Sequence, residues 1–107
     1  MNRVRQIYRT LDGRAPYEEW LESLRDLVGR AKIKVRIDRA LLGNFGNHRS
    51  VGCGVIELKV DFGPGYRIYL AQYGEELIVL LCGGEKSTQD RDIAVAQKYW
   101  EDYKKRL

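Results

Sequence analysis

Val55-Ile56-Glu57-Leu58-Lys59-Val60, Gly63-Pro64-Gly65, Tyr66-Arg67-Ile68-Tyr69-Leu70-Ala71-Gln72-Tyr73, Gly74-Glu75 and Leu77-Ile78-Val79-Leu80-Leu81-Cys82 together decide the fold. The first segment has a period of two: Ile56, Leu58 and Val60 point one way, Glu57, Lys59 and Asp61 the other. Gly63-Pro64-Gly65 is a turn signal, and the next segment alternates Ile68 and Leu70 against Arg67 and Tyr69. Gly74-Glu75 makes a short hairpin loop into an entirely apolar run, which is expected to be a central strand. These three segments predict an antiparallel meander.

Outward from the meander, Gly83-Gly84 reads as a turn that ends the third strand. It leads into a helix beginning near Ser87 or Thr88, with Ile93, Ala96, Trp100, Tyr103 and Leu107 on its buried face. Toward the N-terminus, Arg3 to Thr10 reads as a first strand and Asp12-Gly13 as a turn. Pro16 suits the first position of a helix, in which Tyr17, Trp20, Leu21, Leu24 and Val28 recur at helical spacing. Gly29 is expected to interrupt that helix. A second helical pattern then carries Ile33, Ile37, Ala40 and Leu41, with Lys32, Arg36 and Arg39 opposite and Arg30 and Lys34 flanking. Gly43-Asn44-Phe45-Gly46-Asn47 closes it. The expected order is β-α-α-β-β-β-α, an α+β fold built on an antiparallel sheet, with a helical hairpin before the meander and a helix after it. At 107 residues, the chain is long enough for one domain, residues 1–107, and too short for two.

Composition narrows the chemistry. A 44% hydrophobic and 32% charged content is that of a folded globular chain. No apolar run approaches the roughly 20 residues of a membrane span, and Met1-Asn2-Arg3-Val4-Arg5 is not followed by a signal-length apolar segment. A cytoplasmic protein is expected. Cys53 and Cys82 have no metal-ligand spacing, and His48 is the only histidine. Zinc sites and Ser-His-Asp or Cys-His pairs are hard to build from this inventory, so catalysis would rest on Lys, Arg, Tyr, Asp, Glu or Gln. A net charge of +4 favours polyanionic partners, and equally serves solubility.

Alternation places Glu57 and Lys59 on one side of the sheet, which Arg67 and Tyr69 can share if the register permits, with Lys86 within reach. Converging cations beside a tyrosine suit a phosphodiester and a stacked base. The same residues could equally form a solvated face held by cross-strand pairs such as Glu57 with Arg67. Likewise, Ser87-Thr88-Gln89-Asp90 fits a capping box with Ser87 as cap and Asp90 at the third helical position.

Gly65-Tyr66-Arg67-Ile68-Tyr69, the apolar strand, and Gly83-Gly84-Glu85-Lys86-Ser87-Thr88-Gln89-Asp90-Arg91-Asp92-Ile93-Ala94 resemble the RelE/ParE toxin superfamily. More narrowly, they are similar to its HigB-like addiction module killer protein branch. The resemblance implies a RelE-like fold and a ribosome-dependent mRNA endoribonuclease, the toxin of a type II toxin–antitoxin pair. It also implies a cognate, HigA-like antitoxin, the ribosome and mRNA as partners, and no metal or cofactor. In-line attack by a ribose 2′-OH would leave a cyclic phosphate and a free 5′-OH. By position, Arg67 matches the family's arginine at the scissile phosphate, and Lys59 a basic strand residue proposed as base or charge stabiliser. Lys86 falls where relatives carry a basic residue after the last strand, and Gln89 and Asp90 where the branch has polar residues at the helix start. Tyr69 is a candidate for stacking on a base, or packs beside the final helix. Arg30, Lys32, Lys34, Arg36 and Arg39 form a basic arm that suits ribosomal RNA, or a solvated helix face. Some family members use a tyrosine or histidine near the C-terminus as proton donor, a role for which Tyr99, Tyr103 and His48 are no clear match. Two further functions fit the same fold: a ParE-like inhibitor of DNA gyrase and a non-catalytic antitoxin-binding module.

Overall fold

The computed structural model describes residues 3–107, so Met1 and Asn2 of the N-terminal segment lie outside the described residues. The chain is α+β. Strand β1 (Val4–Ile7) is followed by helices α1 (Pro16–Ser23) and α2 (Leu27–Leu41). Strands β2 (His48–Ser50), β3 (Val55–Val60), β4 (Tyr66–Tyr73) and β5 (Leu77–Glu85) come next, then a 3-10 turn at Lys86–Thr88 and helix α3 (Gln89–Lys105). The five strands form one sheet in the order β1-β5-β4-β3-β2.

The meander forms as its periodicity predicts, with β3, β4 and β5 antiparallel in turn. The sheet as a whole is mixed, because β1 runs parallel to β5. The expectation of an antiparallel sheet is corrected there. β1 and β2 lie at opposite edges, so the α1–α2 hairpin carries the chain across one face of the sheet between them. That face packs Ile33, Ile37, Leu58, Ile68, Leu70 and Leu80 into one apolar cluster. The other face packs Val55, Tyr69, Ala71, Val79, Ala96 and Trp100 beneath α3. Each fully buried aliphatic side chain contributes about 1.5–3 kcal/mol, so these two clusters dominate the fold's stability. Leu107, placed by its periodicity on the buried face of the last helix, is exposed.

Three local readings change. Gly29 does not break a helix. The break falls at Leu24–Asp26, and Asp26 caps α2 by accepting a hydrogen bond from the Gly29 N–H at 2.8 Å. A Cβ at Gly29 would sit 2.6 Å from the Tyr66 ring, so glycine is there for close packing. Gly83-Gly84 is not a turn but part of β5. A Cβ at Gly83 would lie 2.2 Å from the Trp20 ring, and one at Gly84 1.9 Å from an Asp92 carboxylate oxygen. Both helical layers therefore press onto bare strand backbone at this point. The segment after Asn47 also holds a strand, β2, joined to β3 by Gly52-Cys53-Gly54, all three with positive φ.

Candidate functional site

The register settles which side chains share the α3 face of the sheet. Arg49 pairs with Glu57, Glu57 with Tyr69, and Tyr69 with Cys82, which makes one row. Lys59 pairs with Arg67, and Arg67 with Gly84, which makes the adjacent row toward the start of α3. Residues facing one another across strands share a face, so both rows look toward α3.

The first row is saturated. Glu57 is completely buried, and one of its oxygens accepts from Arg49 Nε at 2.9 Å and Gln89 Nε2 at 3.0 Å. The other accepts from the Tyr69 hydroxyl at 3.0 Å and the same Gln89 nitrogen at 2.9 Å. Burial alone would push this carboxyl up, but the hydrogen bonds from Gln89, Arg49 and Tyr69 outweigh it and hold Glu57 below its ordinary value. Such a carboxylate is a weak base with its lone pairs engaged. It serves as an anchor, and its charged partner is Arg49, not Lys59 or Arg67. Tyr69 is also fully buried, and burial together with the Glu57 charge raises its phenol. Its ring packs beneath α3 and offers no face to a base, which corrects the stacking role considered above.

The second row is the opposite case. Arg67 is only 5% exposed, yet its guanidinium donates only from Nη1 to the Tyr66 carbonyl at 3.0 Å, and its buried Nε has no partner. Among the described residues, no carboxylate lies within 4.0 Å of Arg67, Lys59 or Lys86. Lys59, facing Arg67 across the ladder, is partly exposed. Gly65 brings Lys86 to the same place. With φ +83, it accepts the Lys86 N–H at 2.8 Å, and a Cβ there would lie 3.3 Å from Lys86 Cβ and 3.5 Å from Arg67 Nη1. Like charges directly opposite one another destabilise a sheet, so this unpaired row costs the fold stability.

The start of α3 forms the rim. The capping box is made by Glu85 and Thr88 of the 3-10 turn, not by Ser87 and Asp90. Asp90 is left exposed in the first turn of α3, near enough for its charge to act on Arg49. Gln89 gives its amide nitrogen to both oxygens of Glu57, at 3.0 and 2.9 Å.

The basic arm divides. Arg36 turns inward and donates to the carbonyls of Lys59, Phe45 (2.6 Å) and Asn47 (3.2 Å), tying α2 to β3 and the loop before β2. It is a structural clamp and is not free to meet RNA. Lys32, Lys34 and Arg39 are exposed, and Arg30 is partly so. Lys32 lies 5.0 Å above the Phe62 ring, in a groove of about 560 Å³ between α2 and the end of β3. Lys59 lines the same groove as Lys32 and Arg39, so the arm borders the cationic row at the end of β3.

Tyr99 stacks on Tyr8, and the Tyr103 hydroxyl donates to Gln6 of β1 at 2.6 Å, both at the β1 edge, two strands from Arg67. His48 pairs with Leu58 and so faces the helical-hairpin side. None of the three joins Arg67. Among the described residues, no three His, Cys, Asp or Glu side chains come together to hold a metal ion, and no helix is long and apolar enough to cross a membrane. The groups gathered here are thus Lys59, Arg67, Lys86, Gln89 and Asp90, with Glu57, expected as a partner for Lys59 or Arg67, and Arg49, which the sequence reading passed over. The signal was available: Arg49 and Glu57 are equidistant from Cys53, the centre of the Gly52-Cys53-Gly54 hairpin.

This is an α+β chain with an unpaired cationic pair on its sheet, bordered by a helix start. No protein-family model matches it. An uncharacterized protein of Haemophilus influenzae is 49% identical to it over 81 residues, which is 76% of this chain and 82% of that protein. The chain belongs to the same family as that protein.

Proposed function

We propose that the chain is a RelE-like toxin of a toxin–antitoxin pair that cuts messenger RNA on the ribosome, with the Lys59–Arg67 row as its phosphate site. The observation that carries this reading is Arg67, a residue only 5% exposed, with a buried, unpartnered Nε and no carboxylate beside it. A buried cation without a partner costs the fold stability, and a site that must receive a phosphate accounts for that cost.

The chemistry follows from what each group can do. A 2′-oxygen attacks the adjacent phosphorus in line, the 2′-proton is lost, the 5′-oxygen leaves and takes up a proton, and a 2′,3′-cyclic phosphate remains. Arg67 cannot release its proton, so it serves the charge gathering on the phosphorane oxygens. Lys59 faces it and shares that charge. The proton transfers fall to Lys59, Lys86 and Asp90, the groups at this rim that can change protonation state. The antitoxin and ribosome follow from the same reading, as does residence in the cytoplasm. The exposed cations of α2 (Arg30, Lys32, Lys34 and Arg39) fit contacts that position the protein on ribosomal RNA without reading sequence.

The test is to induce the protein briefly in cells and map transcript 5′ ends. New 5′-hydroxyl ends confined to translated regions are expected, and they should vanish with Arg67→Met. Growth arrest with a DNA-damage response and no new ends would indicate the gyrase-inhibitor function instead.

A further inference from the structure

We propose that Arg49 is a second phosphate clamp, taking the phosphate next to the one at Lys59 and Arg67. The proposal rests on the reading of that row as a phosphate site.

Arg49 meets Glu57 side-on, through Nε alone. An arginine whose task is only to neutralise a carboxylate commonly offers two parallel N–H groups to it. Here both terminal nitrogens have no hydrogen-bond partner among the described residues, and the side chain is 48% exposed. The fixed end meets a fully buried carboxylate, and the side chain as a whole stays about half exposed. This geometry presents a guanidinium with its orientation already set, which reduces the entropy lost when an anion binds.

The strand that carries it is also held firmly. Arg36 donates to the Asn47 carbonyl before β2, and Gln97 Nε2 donates to the Val51 carbonyl after it at 2.7 Å. Arg49 faces Glu57, two residues before Lys59 on β3, so Arg49 and Lys59 are diagonal neighbours on one sheet face. Diagonal neighbours lie about 7–8 Å apart, the scale of successive phosphates along a single strand. Asp90, whose charge acts on Arg49, limits binding of free anions there and favours a strand already held at Lys59 and Arg67.

The experiment measures binding of a fluorescent 2′-O-methyl RNA decamer, which cannot be cleaved by 2′-attack, to the full chain over a range of salt. Arg49→Ala is expected to weaken binding about tenfold, the equivalent of one charge-assisted hydrogen bond. It should also reduce the slope of log K against log salt by about 0.7, the loss of one phosphate contact on a single strand. Arg5→Ala, on β1 at the opposite edge, should change neither. A purely structural role for Arg49 would lower the melting temperature and leave the salt slope alone, and that result overturns the proposal. Equal losses from Arg5→Ala and Arg49→Ala would mean diffuse attraction and overturn it too. If the wild-type chain shows no salt-dependent binding, the phosphate reading of the Lys59–Arg67 row fails along with it. If it binds and Arg49→Ala matches it, only the Arg49 clamp fails.

Discussion

Two neighbouring rows on one sheet face were built to opposite rules. In the row of Arg49, Glu57 and Tyr69, every oxygen of a buried carboxylate is met, and a helix side chain, Gln89, closes the network. One step along the strands, Lys59 and Arg67 face each other with no acid between them and a buried N–H left over. The contrast separates what holds the fold from what the fold holds ready. Glu57 is near enough in sequence to serve either cation, yet its oxygens are already engaged, and this keeps the second row unpaired.

The sharpest way to break the contrast is to empty the first row. Glu57→Ala removes the acceptor for Tyr69, Gln89 and Arg49 together and leaves a buried hydroxyl without a partner. Arg49 can turn to solvent, so the loss is held to about 3 kcal/mol of unfolding free energy. Chemical denaturation of the purified chain measures it. A loss below about 1 kcal/mol would mean that the network contributes no more than an exposed pair.

Tyr69→Phe is the milder version. It takes one of two donors from one Glu57 oxygen, at a cost of about 1 kcal/mol. Its pH dependence is more telling. The Glu57 carboxyl lies below its ordinary value in the folded chain, so its contribution is fully present above the unfolded-state pKa and is lost as pH falls through the folded one. Without the Tyr69 hydrogen bond, the folded value moves toward the unfolded one. The part of the stability that acid removes should therefore shrink, and denaturation curves collected from neutral to acid pH would register it.

How much of this was legible beforehand follows the same division. The meander and most of the helical faces were readable because burial imposes a period, and the period survives in Ile56-Glu57-Leu58-Lys59-Val60 without knowledge of neighbours. Val28, however, read onto the first helix's apolar face, is exposed in α2, and Leu24 lies past the end of α1. Positions whose meaning lies in another element were not readable. Gly83 and Gly84 look like a turn until Trp20 and Asp92 are set against them, and Gly29 looks like a break until Tyr66 arrives. Arg36 belongs by spacing to a basic arm, and only the folded chain shows its guanidinium spent on three carbonyls. The parallel pairing of β1 also escaped local pattern, since strand direction leaves no mark in four residues. Lys59, Arg67 and Lys86 were brought together from the sequence by strand alternation, and family resemblance gave them roles. The approach of Lys86 and Arg67 to Gly65, with Lys59 facing Arg67 across the ladder, is what physical geometry adds.

The smallest expected change in stability belongs to Arg67→Met, and it is the most discriminating. A residue this deeply buried would ordinarily be costly to replace. Arg67, however, gives the fold only one hydrogen bond, to a backbone carbonyl, against the cost of keeping a guanidinium and an unpartnered N–H from water. An unbranched apolar side chain of similar length fills the same space without that cost, so unfolding free energy should stay within about 1 kcal/mol of wild type or rise. Binding of the RNA decamer should fall more than it does for Arg49→Ala, because the better-desolvated cation is lost. A stability loss approaching that of Glu57→Ala would place Arg67 with the structural row and erase the contrast. A stable chain that no longer holds RNA would show that the buried charge is kept for a ligand.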